Sequence, residues 1–169
     1  MKIILHMAMS ANGYIATANG ETPWSFEEWV DYCDAVVKAG NVVVGRHTYE
    51  IMRMAGDLIK IADQTVVVLT TRLPKEEGNV VFVNSPEKAV EVLRDKGFTE
   101  IMVAGGAKCN LSFMDLGLVD EVCLNVEPFL FGAGVPLLAP KKFKHRLELL
   151  EKRSLNDNTT QLRYRICKD

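Results

Sequence analysis

The sequence predicts an α/β domain of three layers, in which helices cover both faces of a mixed, mostly parallel β-sheet. Strand-like and helix-like segments alternate over most of the 169 residues, an order typical of a parallel sheet with helical crossovers. Several strand-like segments are short aliphatic runs that end in glycine, such as NVVVG at 41–45. The C-terminal stretch carries two strand-like segments around the turn sequence LNDN, which predicts an antiparallel hairpin.

The N-terminal part of the chain predicts one strand and one capped helix. Residues 2–9 are predicted to form the strand, and the sequence SANGYIATANGETP after it is typical of a loop. We expect a helix over 25–40, because Ser25 is a suitable N-cap, acidic residues fill the first turn and Gly40 is a typical C-cap. Apolar residues at helical spacing indicate the face that packs on the sheet: Trp29, Tyr32, Val36 and Ala39.

The rest of the chain continues the alternation. A strand at 41–45 precedes a short helix from about His47. The predicted bounds of the later elements are 65–70 and 79–83 for two strands, 86–96 for a helix, 100–106 for a strand that runs into glycine, 107–117 for a helix, 120–132 for a long strand and 143–169 for the hairpin. The two closing strands are antiparallel because a short turn joins them.

Composition and charge narrow the possible classes of function. The apolar fraction of 48%, the charged fraction of 25% and the net charge of −2 fit one globular domain over residues 1–169. We expect no nucleic-acid or membrane binding, which needs a basic surface. The N-terminus resembles a strand and not a signal peptide, so a cytoplasmic location is expected. The four cysteines and three histidines lack metal-ligand spacing, so no metal site is expected.

Three strands of the predicted sheet end in residues suited to bind phosphate. The segments GRHT, TTR and GGAK follow the strands at 42–44, 66–69 and 101–104. Ligands of such sheets bind beyond the carboxyl ends of the strands, where glycine lets backbone N–H groups approach an anion. Guanidinium groups, hydroxyls and helix N-termini complete such a site. The candidates are Gly45, Arg46, His47, Thr48, Thr70, Thr71, Arg72, Gly105, Gly106 and Ala107. Neither a G-x-G-x-x-G fingerprint nor a P-loop motif is present.

The order of the motifs resembles the dihydrofolate reductase superfamily, and most closely the reductase domain of riboflavin biosynthesis. VGRHTYE and VAGGA are similar to dihydrofolate reductases in general, whereas SANGYIA and GLVDE followed by PFLFGAG are similar to the riboflavin-type branch. The resemblance covers nearly the whole chain and implies NADPH as hydride donor. The deaminase domain that often accompanies this reductase is not indicated, since neither H-x-E nor P-C-x-x-C occurs.

The resemblance also implies roles for the candidate residues. Arg46, His47 and Thr48 would hold the cofactor phosphates. The segment Thr70, Thr71 and Arg72 would lie near the adenosine 2′-phosphate and favour NADPH over NADH. Gly105 and Gly106 would form a cis peptide that supports the pyrophosphate, with Ala107 beginning the helix after it. Ile15 and Ala16 would approach the nicotinamide through their backbone groups.

The substrate side departs from the folate enzymes. Folate reductases place a carboxylate on the first helix, and the equivalent position here is Trp29, which we expect to be a core or pocket-wall aromatic. Glu28 lies one position before Trp29, and one position corresponds to a rotation of about 100° around a helix. Glu28 is therefore expected to point away from the substrate and to be a solvated acid of the first turn. It would bind substrate only if the helix were rotated or shifted. The candidate substrate-binding residues are Asn12, Glu28, Trp29, Tyr49, Phe131 and Gly132.

The predicted activity is the NADPH-dependent transfer of hydride to a C=N or C=O group of a small substrate. A riboflavin-pathway 5-amino-6-(5-phosphoribosylamino)uracil reductase, or a paralogue of it, is the first expectation. A dihydrofolate reductase with a relocated carboxylate and a non-catalytic NADPH-binding protein are the alternatives. The proton donor stays open among Glu28, Tyr49, Glu127 and a bound water. A homodimer is expected from the resemblance, with Phe129, Leu130 and Phe131 either at its interface or in the core.

Overall fold

The computed structural model describes residues 1–72 and 78–168 and consists of an α/β sandwich. The ten strands are β1 Lys2–Ser10, β2 Tyr14–Thr17, β3 Asn41–Gly45, β4 Thr65–Leu69, β5 Val80–Val83, β6 Glu100–Val103, β7 Glu121–Glu127, β8 Gly134–Pro136, β9 Arg146–Ser154 and β10 Thr160–Cys167. The helices are α1 Phe26–Ala39, α2 Arg46–Ala55, α3 Pro86–Asp95 and α4 Ala107–Asp115, with a short 3₁₀ helix at Asp57–Ile61.

Eight of the strands form one mixed sheet in the order β5-β4-β3-β6-β1-β7-β10-β9. The six strands from β5 to β7 are parallel to each other, whereas β10 pairs antiparallel with both β7 and β9. The predicted mixed sheet with a C-terminal antiparallel hairpin is therefore confirmed. Asp169, the last residue of the predicted hairpin, lies outside the described residues.

Helices cover the two faces of the sheet, as the alternating strand residues require. Val43 of β3 packs in a core with Leu93 of α3 and Phe113 of α4. Its neighbours Val42 and Val44 point to the opposite face, where they pack with residues of α1 and α2. This arrangement confirms the three predicted layers.

The helix over 25–40 is confirmed together with both of its caps. The hydroxyl of Ser25 accepts a hydrogen bond from the backbone N–H of Glu28, and Gly40 ends the helix in the left-handed conformation at φ 72°. A Cβ atom at Gly40 would lie 2.9 Å from the ring of Phe98, so this position requires glycine for space as well as for conformation.

Two predicted elements differ from the structure. The loop predicted after β1 contains the short strand β2, whose antiparallel partner is the distant strand β8, so no local pattern indicates it. The long strand predicted over 120–132 ends at Glu127, where Pro128 interrupts the ladder. Within the described residues, no helix is long and apolar enough to cross a bilayer.

Candidate functional site

The three strand ends identified in the sequence lie side by side at one edge of the sheet. Strand β3 lies between β4 and β6, so the segments after these strands are neighbours. The backbone N–H of Gly45 donates to the carbonyl oxygen of Gly105 at 2.7 Å, and that of Ala104 donates to the carbonyl of Val43 at 2.9 Å. The peptide bond between Gly105 and Gly106 is cis, as the family resemblance implies.

The helices that begin at this edge have free N-termini. The starts of α1 and α3 each have a serine cap, with two acidic residues in the first turn of α1 and one in that of α3. Among the described residues, by contrast, no side chain caps the start of α2 or α4, and neither first turn contains an acid. Their backbone N–H groups and their positive dipole ends are therefore available to an anion.

The candidate side chains at this edge differ in exposure. Arg46 and His47 are exposed at the start of α2, and Arg46 forms a surface ion pair with Glu50, with Nε and Oε1 3.3 Å apart. Thr71 and Arg72 are exposed after β4. Thr70 is buried, and its hydroxyl accepts from the backbone N–H of Arg72 at 3.1 Å, which fixes the turn after that strand.

The fold requires glycine at one of the two positions compared at this edge and not at the other. Gly105 has a φ of +96°, and a Cβ atom there would lie 3.1 Å from Cε of Met7, so the fold itself requires glycine. Gly45 has a φ of −75°, and an added Cβ would meet neighbours at ordinary distances of 3.5 Å or more. The fold therefore does not require glycine at 45. The role predicted for Gly45, close approach of its backbone to a phosphate, stays a prediction.

Thr48 and Ala107 connect the two helix starts. A Cβ atom on Gly106 would lie 3.4 Å from the hydroxyl oxygen of Thr48, which places this side chain of α2 against the start of α4. Ala107 is buried, and its carbonyl accepts from the backbone N–H of Ala139 at 3.2 Å. The predicted cofactor residues of α2 and α4 thus share one surface.

Hydrogen bonds of the Asn12 side chain hold the loop after β1 in place. Asn12 donates from Nδ2 to the carbonyl of Phe131 at 2.8 Å, and its Oδ1 accepts from the N–H of Phe131 and from the hydroxyl of Ser10. The side-chain polar atoms of Asn12 are therefore engaged within the chain. These bonds give Asn12 a structural role, and its contact with substrate stays a prediction. Ile15 and Ala16 are buried in the strand that follows.

Aromatic rings pack where this loop meets the segment after β7. Trp24 stacks on Phe131 at a centroid distance of 6.0 Å and lies 6.1 Å from Phe129. Phe129 and Phe131 therefore belong to an intramolecular cluster, which favours the core alternative for both, whereas Leu130 is 78% exposed. Gly132 is exposed next to the cluster.

Tyr49 and Trp29 pack against other aromatic rings of the chain. Tyr49 is buried in the core, edge-on to Phe82 at 5.7 Å. This packing favours the structural alternative for Tyr49, and its role as a substrate ligand or a proton donor stays a prediction. Trp29 is half-buried and stacks on Tyr32 at 5.5 Å, in agreement with its prediction as an aromatic of the core or pocket wall.

Glu28 is buried, and its prediction as a solvated first-turn acid is wrong. Its exposed fraction is 5%, and its Oε1 accepts from Nδ2 of Asn125 at 3.3 Å. The first turn of α1 is rotated so that this side chain faces β7, and spacing alone did not reveal this rotation. Burial, together with the negative charges of Glu127 and Asp31, raises the pKa of Glu28 to about 7.

A second carboxylate on the same face of α1 is held in the ionised form. Asp31 accepts from Asn125 at 2.9 Å and from Gln161 at 2.7 Å, and it pairs with His6 and Arg153. Burial acts against its charge, but the hydrogen bonds from His6 and Asn125 and the nearby positive charges outweigh burial and lower its pKa to about 2. Burial also acts against the charge of His6, but Asp31 and Cys123 raise its pKa to about 9.

The side chains around Asp31 form one polar cluster, which consists of His6, Glu28, Asp31, Asn125, Arg153 and Gln161. Glu127 lies between this polar cluster and the edge that holds the three strand ends. It is fully buried at the end of β7, and its Oε1 accepts from the hydroxyl of Ser25 at 2.7 Å. In the sheet, β1 separates β7 from β6 by two strand spacings, or about 10 Å across the strands. Glu127 pairs with Ser10 of β1, whereas Val103 at the end of β6 pairs with Leu5, so β7 also extends further along the strand direction than β6. Strands β7, β6, β3 and β4 are parallel, so Glu127 and the three strand ends lie at the same edge of the sheet.

The cluster residues outside α1 carried no motif in the sequence. His6 and Asn125 each interrupt an apolar strand, KIILHMAMS and EVCLNVE, and this interruption is the signal that marks them. Gln161 and Arg153 carry no such signal, because they lie on the polar closing hairpin. Among the described residues, no group of three or more His, Cys, Asp or Glu side chains has the geometry of a metal site.

Comparison with known proteins identifies the family of this chain and one relative. Residues 1–160 match the family model described as the RibD C-terminal domain. The uncharacterized protein YwjB of Bacillus subtilis (strain 168) is 32% identical over 143 residues, which cover 80% of this chain and 82% of YwjB.

Two solved structures share the fold. One is described as a riboflavin biosynthesis protein from Shewanella sp. PV-4, with a TM-score of 0.79, 24% identity and coverage of 99% of this chain and 100% of that one. The other is a Thermotoga maritima diaminohydroxyphosphoribosylaminopyrimidine deaminase/5-amino-6-(5-phosphoribosylamino)uracil reductase. Its TM-score is 0.71 at 17% identity, and the match covers 98% of this chain and 56% of that protein.

Proposed function

The chain belongs to the RibD C-terminal domain family, and on this premise we propose that it is an NADPH-dependent reductase that transfers hydride to a C=N or C=O group of a small substrate. One observation carries the proposal: three adjacent strand ends and two uncapped helix N-termini lie at the edge of the sheet where β7 also ends, at the buried carboxyl of Glu127. Ligands of such sheets bind beyond the carboxyl ends of the strands, and a cofactor and a substrate would both lie at this edge.

The residues at the three strand ends fit a phosphorylated dinucleotide. The N–H groups at the starts of α2 and α4 would bind the pyrophosphate. Arg46 and Arg72 are exposed and carry forked donors that suit phosphate groups. NADPH, when bound, supplies the hydride. The buried Ile15 and Ala16 would shield the nicotinamide end from water.

Glu28 is the proposed proton donor. Reduction of a C=N or C=O group needs a proton as well as a hydride, and a general acid works best when its pKa lies near the working pH. The pKa of Glu28 is raised to about 7, so the carboxyl is protonated in a large fraction of molecules at neutral pH. Asp31 beside it stays ionised. One protonated and one ionised carboxyl are typical of paired catalytic carboxyls.

The proposed substrate class is a ribosylaminopyrimidine phosphate, as in the name of the Thermotoga reductase. A second candidate is dihydrofolate, which the buried Glu28 on the first helix favours, because it supplies the relocated carboxylate that this reaction would need. The third possibility is a protein that binds NADPH without turnover. Oxidation of NADPH in the presence of either substrate class distinguishes the enzymes from the binding protein.

The test is a fluorescence titration with NADPH and NADH. We expect micromolar NADPH binding that is much tighter than NADH binding. Arg46→Ala and Arg72→Ala should each weaken NADPH binding by roughly tenfold, because each loses a charge-assisted contact. Gly45→Ala should fold normally and yet weaken NADPH binding, since its methyl group would lie 3.8 Å from the backbone nitrogen of Gly106, at the helix start proposed to bind phosphate.

Arg94→Ala is the matched control. Arg94 is exposed in the last turn of α3, which leads into the start of β6 and therefore lies at the opposite edge of the sheet. It should leave NADPH affinity unchanged. Absence of binding to either nucleotide would overturn the proposal, and equal loss in Arg94→Ala and Arg46→Ala would show that the effect is not local.

A further inference from the structure

The buried side chains of Asn125 and Gln161 form a chain of hydrogen bonds that ends at Glu28. Arg153 donates from Nε to Oε1 of Gln161 at 2.7 Å, and Gln161 donates from Nε2 to Oδ1 of Asn125 at 2.8 Å. Asn125 then donates from Nδ2 to Oε1 of Glu28 at 3.3 Å. The chain crosses from the exposed strand β9 through β10 and β7 to α1.

The direction of this chain is fixed by chemistry. A guanidinium has no acceptor, so Gln161 must present its oxygen to Arg153 and its NH₂ group to Asn125. The oxygen of Asn125 must then face Gln161, which leaves its NH₂ group towards Glu28. Asp31, an ionised acceptor, enforces the same orientation, because it takes a hydrogen bond from each of the two amides.

The donors of Asn125 are fully used in this arrangement. Its NH₂ group has two hydrogens, one for Asp31 at 2.9 Å and one for Glu28 at 3.3 Å. His6 Nε2 lies 3.4 Å from the same nitrogen but donates its own hydrogen to Asp31, so it does not compete as an acceptor. Glu28 therefore meets a donor, which favours its ionised form and acts against burial.

We propose that Asn125 is a positioning residue for Glu28, and that the chain from Arg153 through Gln161 to Asn125 sets how readily Glu28 releases its proton. The inference rests on the proposed role of Glu28 as proton donor. It explains how a surface arginine on the edge hairpin influences an acid on the first helix, through the fixed orientation of two amides.

Other charged groups also face Glu28 and must be accounted for. Asp31 acts from its own helix and Glu127 from β7, and both disfavour the ionised form of Glu28. His6 acts from β1 with a positive charge and favours the ionised form. The proposal predicts that loss of the Asn125 donor raises the proton affinity of Glu28 while these three charges remain.

The test measures the titration of Glu28 directly and needs no substrate. Protein labelled with ¹³C at the glutamate carboxyl carbon is titrated by NMR, and Glu28→Gln identifies the signal. We expect a midpoint near the raised value in the wild type and a rise of about one pH unit, or tenfold in proton affinity, in Asn125→Ala. Asn41→Ala is the matched control, since Asn41 is equally buried but bonds to Ala39 and Glu100 at the opposite edge.

A second variant covers the case in which Asn125→Ala does not fold. The side chain of Arg153 is 48% exposed, so Arg153→Met should fold, and it should raise the midpoint by a smaller amount in the same direction. An unchanged midpoint in the folded variants would overturn the inference and leave the proposed reductase function standing. A wild-type midpoint near that of an ordinary glutamate would instead overturn the role of Glu28.

Discussion

At the scale of single residues, two carboxyl groups three positions apart on α1 are tuned in opposite directions. Glu28 meets one amide donor and two negative charges, and its pKa is raised to about 7. Asp31 meets two amides, an imidazolium and a guanidinium, and its pKa is lowered to about 2. Environment and not residue type decides the two states, which gives the site one acid and one permanent anion.

The raised pKa of Glu28 predicts a measurable dependence of stability on pH. A carboxyl whose folded pKa lies above its unfolded value stabilises the fold at low pH, and this contribution is lost as pH rises through the folded pKa. Between about pH 5 and about pH 8 the wild type should therefore lose on the order of 2 kcal/mol of unfolding free energy relative to Glu28→Gln. Urea denaturation of both proteins at the two pH values measures the difference.

Asp31→Asn is the opposite control. The lowered pKa of Asp31 means that its contribution is present at neutral pH and is lost only as pH falls below the ordinary range of aspartate. Asp31→Asn should therefore be less stable than the wild type at both pH values. The difference should be larger at about pH 5, because the substitution also removes the partner that raises the pKa of His6 to about 9. A constant difference between Glu28→Gln and the wild type across this range would contradict the raised pKa.

At the scale of elements, the start of α1 is tied to the sheet, while α2 and α4 start free. Ser25 both caps α1 and donates to the buried Glu127, so one hydroxyl sets where the helix begins and how it meets β7. The free starts of α2 and α4 have no equivalent attachment among the described residues. The helix that carries the proposed acid is thus fixed within the protein, and the two others keep their N–H groups for a ligand.

This difference predicts unequal effects of two similar substitutions. Ser85 caps α3 as Ser25 caps α1, each with a distance of 3.3 Å from the hydroxyl oxygen to a backbone nitrogen. Ser85→Ala should cost about 1 kcal/mol of unfolding free energy, the usual value for a cap. Ser25→Ala should cost about 1–3 kcal/mol more, because it also leaves Glu127 buried without its donor. Equal losses in urea unfolding would show that the Ser25–Glu127 contact adds nothing.

At the scale of the whole molecule, the sheet divides into two functional halves. Strands β4, β3 and β6 carry the proposed cofactor edge, and β1, β7 and β10 carry the polar cluster. Strand β9 forms the free edge, and all nine of its residues are exposed. Leu147 and Leu149 alternate along β9, so they share one face of the strand, where they expose 41% and 54% of their surface.

The exposed face of β9 supports the expectation of a homodimer. Light scattering at micromolar concentration should give twice the mass of the chain, and Leu149→Lys should shift the protein towards monomer by placing a charge on this apolar face. Leu116→Lys is the control, since Leu116 is 47% exposed at the end of α4. A monomeric mass for the wild type would refute the dimer. Equal effects of the two lysine substitutions would show that β9 does not form the dimer interface.

The sequence by itself determined the order of the elements, the caps of α1 and the three strand ends that meet at one edge. These features follow from local rules: strand and helix periodicity, cap chemistry at Ser25 and Gly40, and the rule that parallel strands end at the same edge. The family resemblance added the cis peptide at Gly105 and the expected cofactor.

Tertiary structure alone decided which side chains meet Glu28. The hydrogen bonds of the cluster join residues as far apart as Asp31 and Gln161, and no local pattern connects such positions. Whether Glu28 is buried or exposed also depends on how α1 is rotated about its axis against the sheet. Each residue along a helix turns the side chain by about 100°, so a small rotation exchanges a buried position for an exposed one. Spacing therefore placed Glu28 in solvent, whereas the packing of α1 against β7 buried it beside Asn125 and raised its pKa.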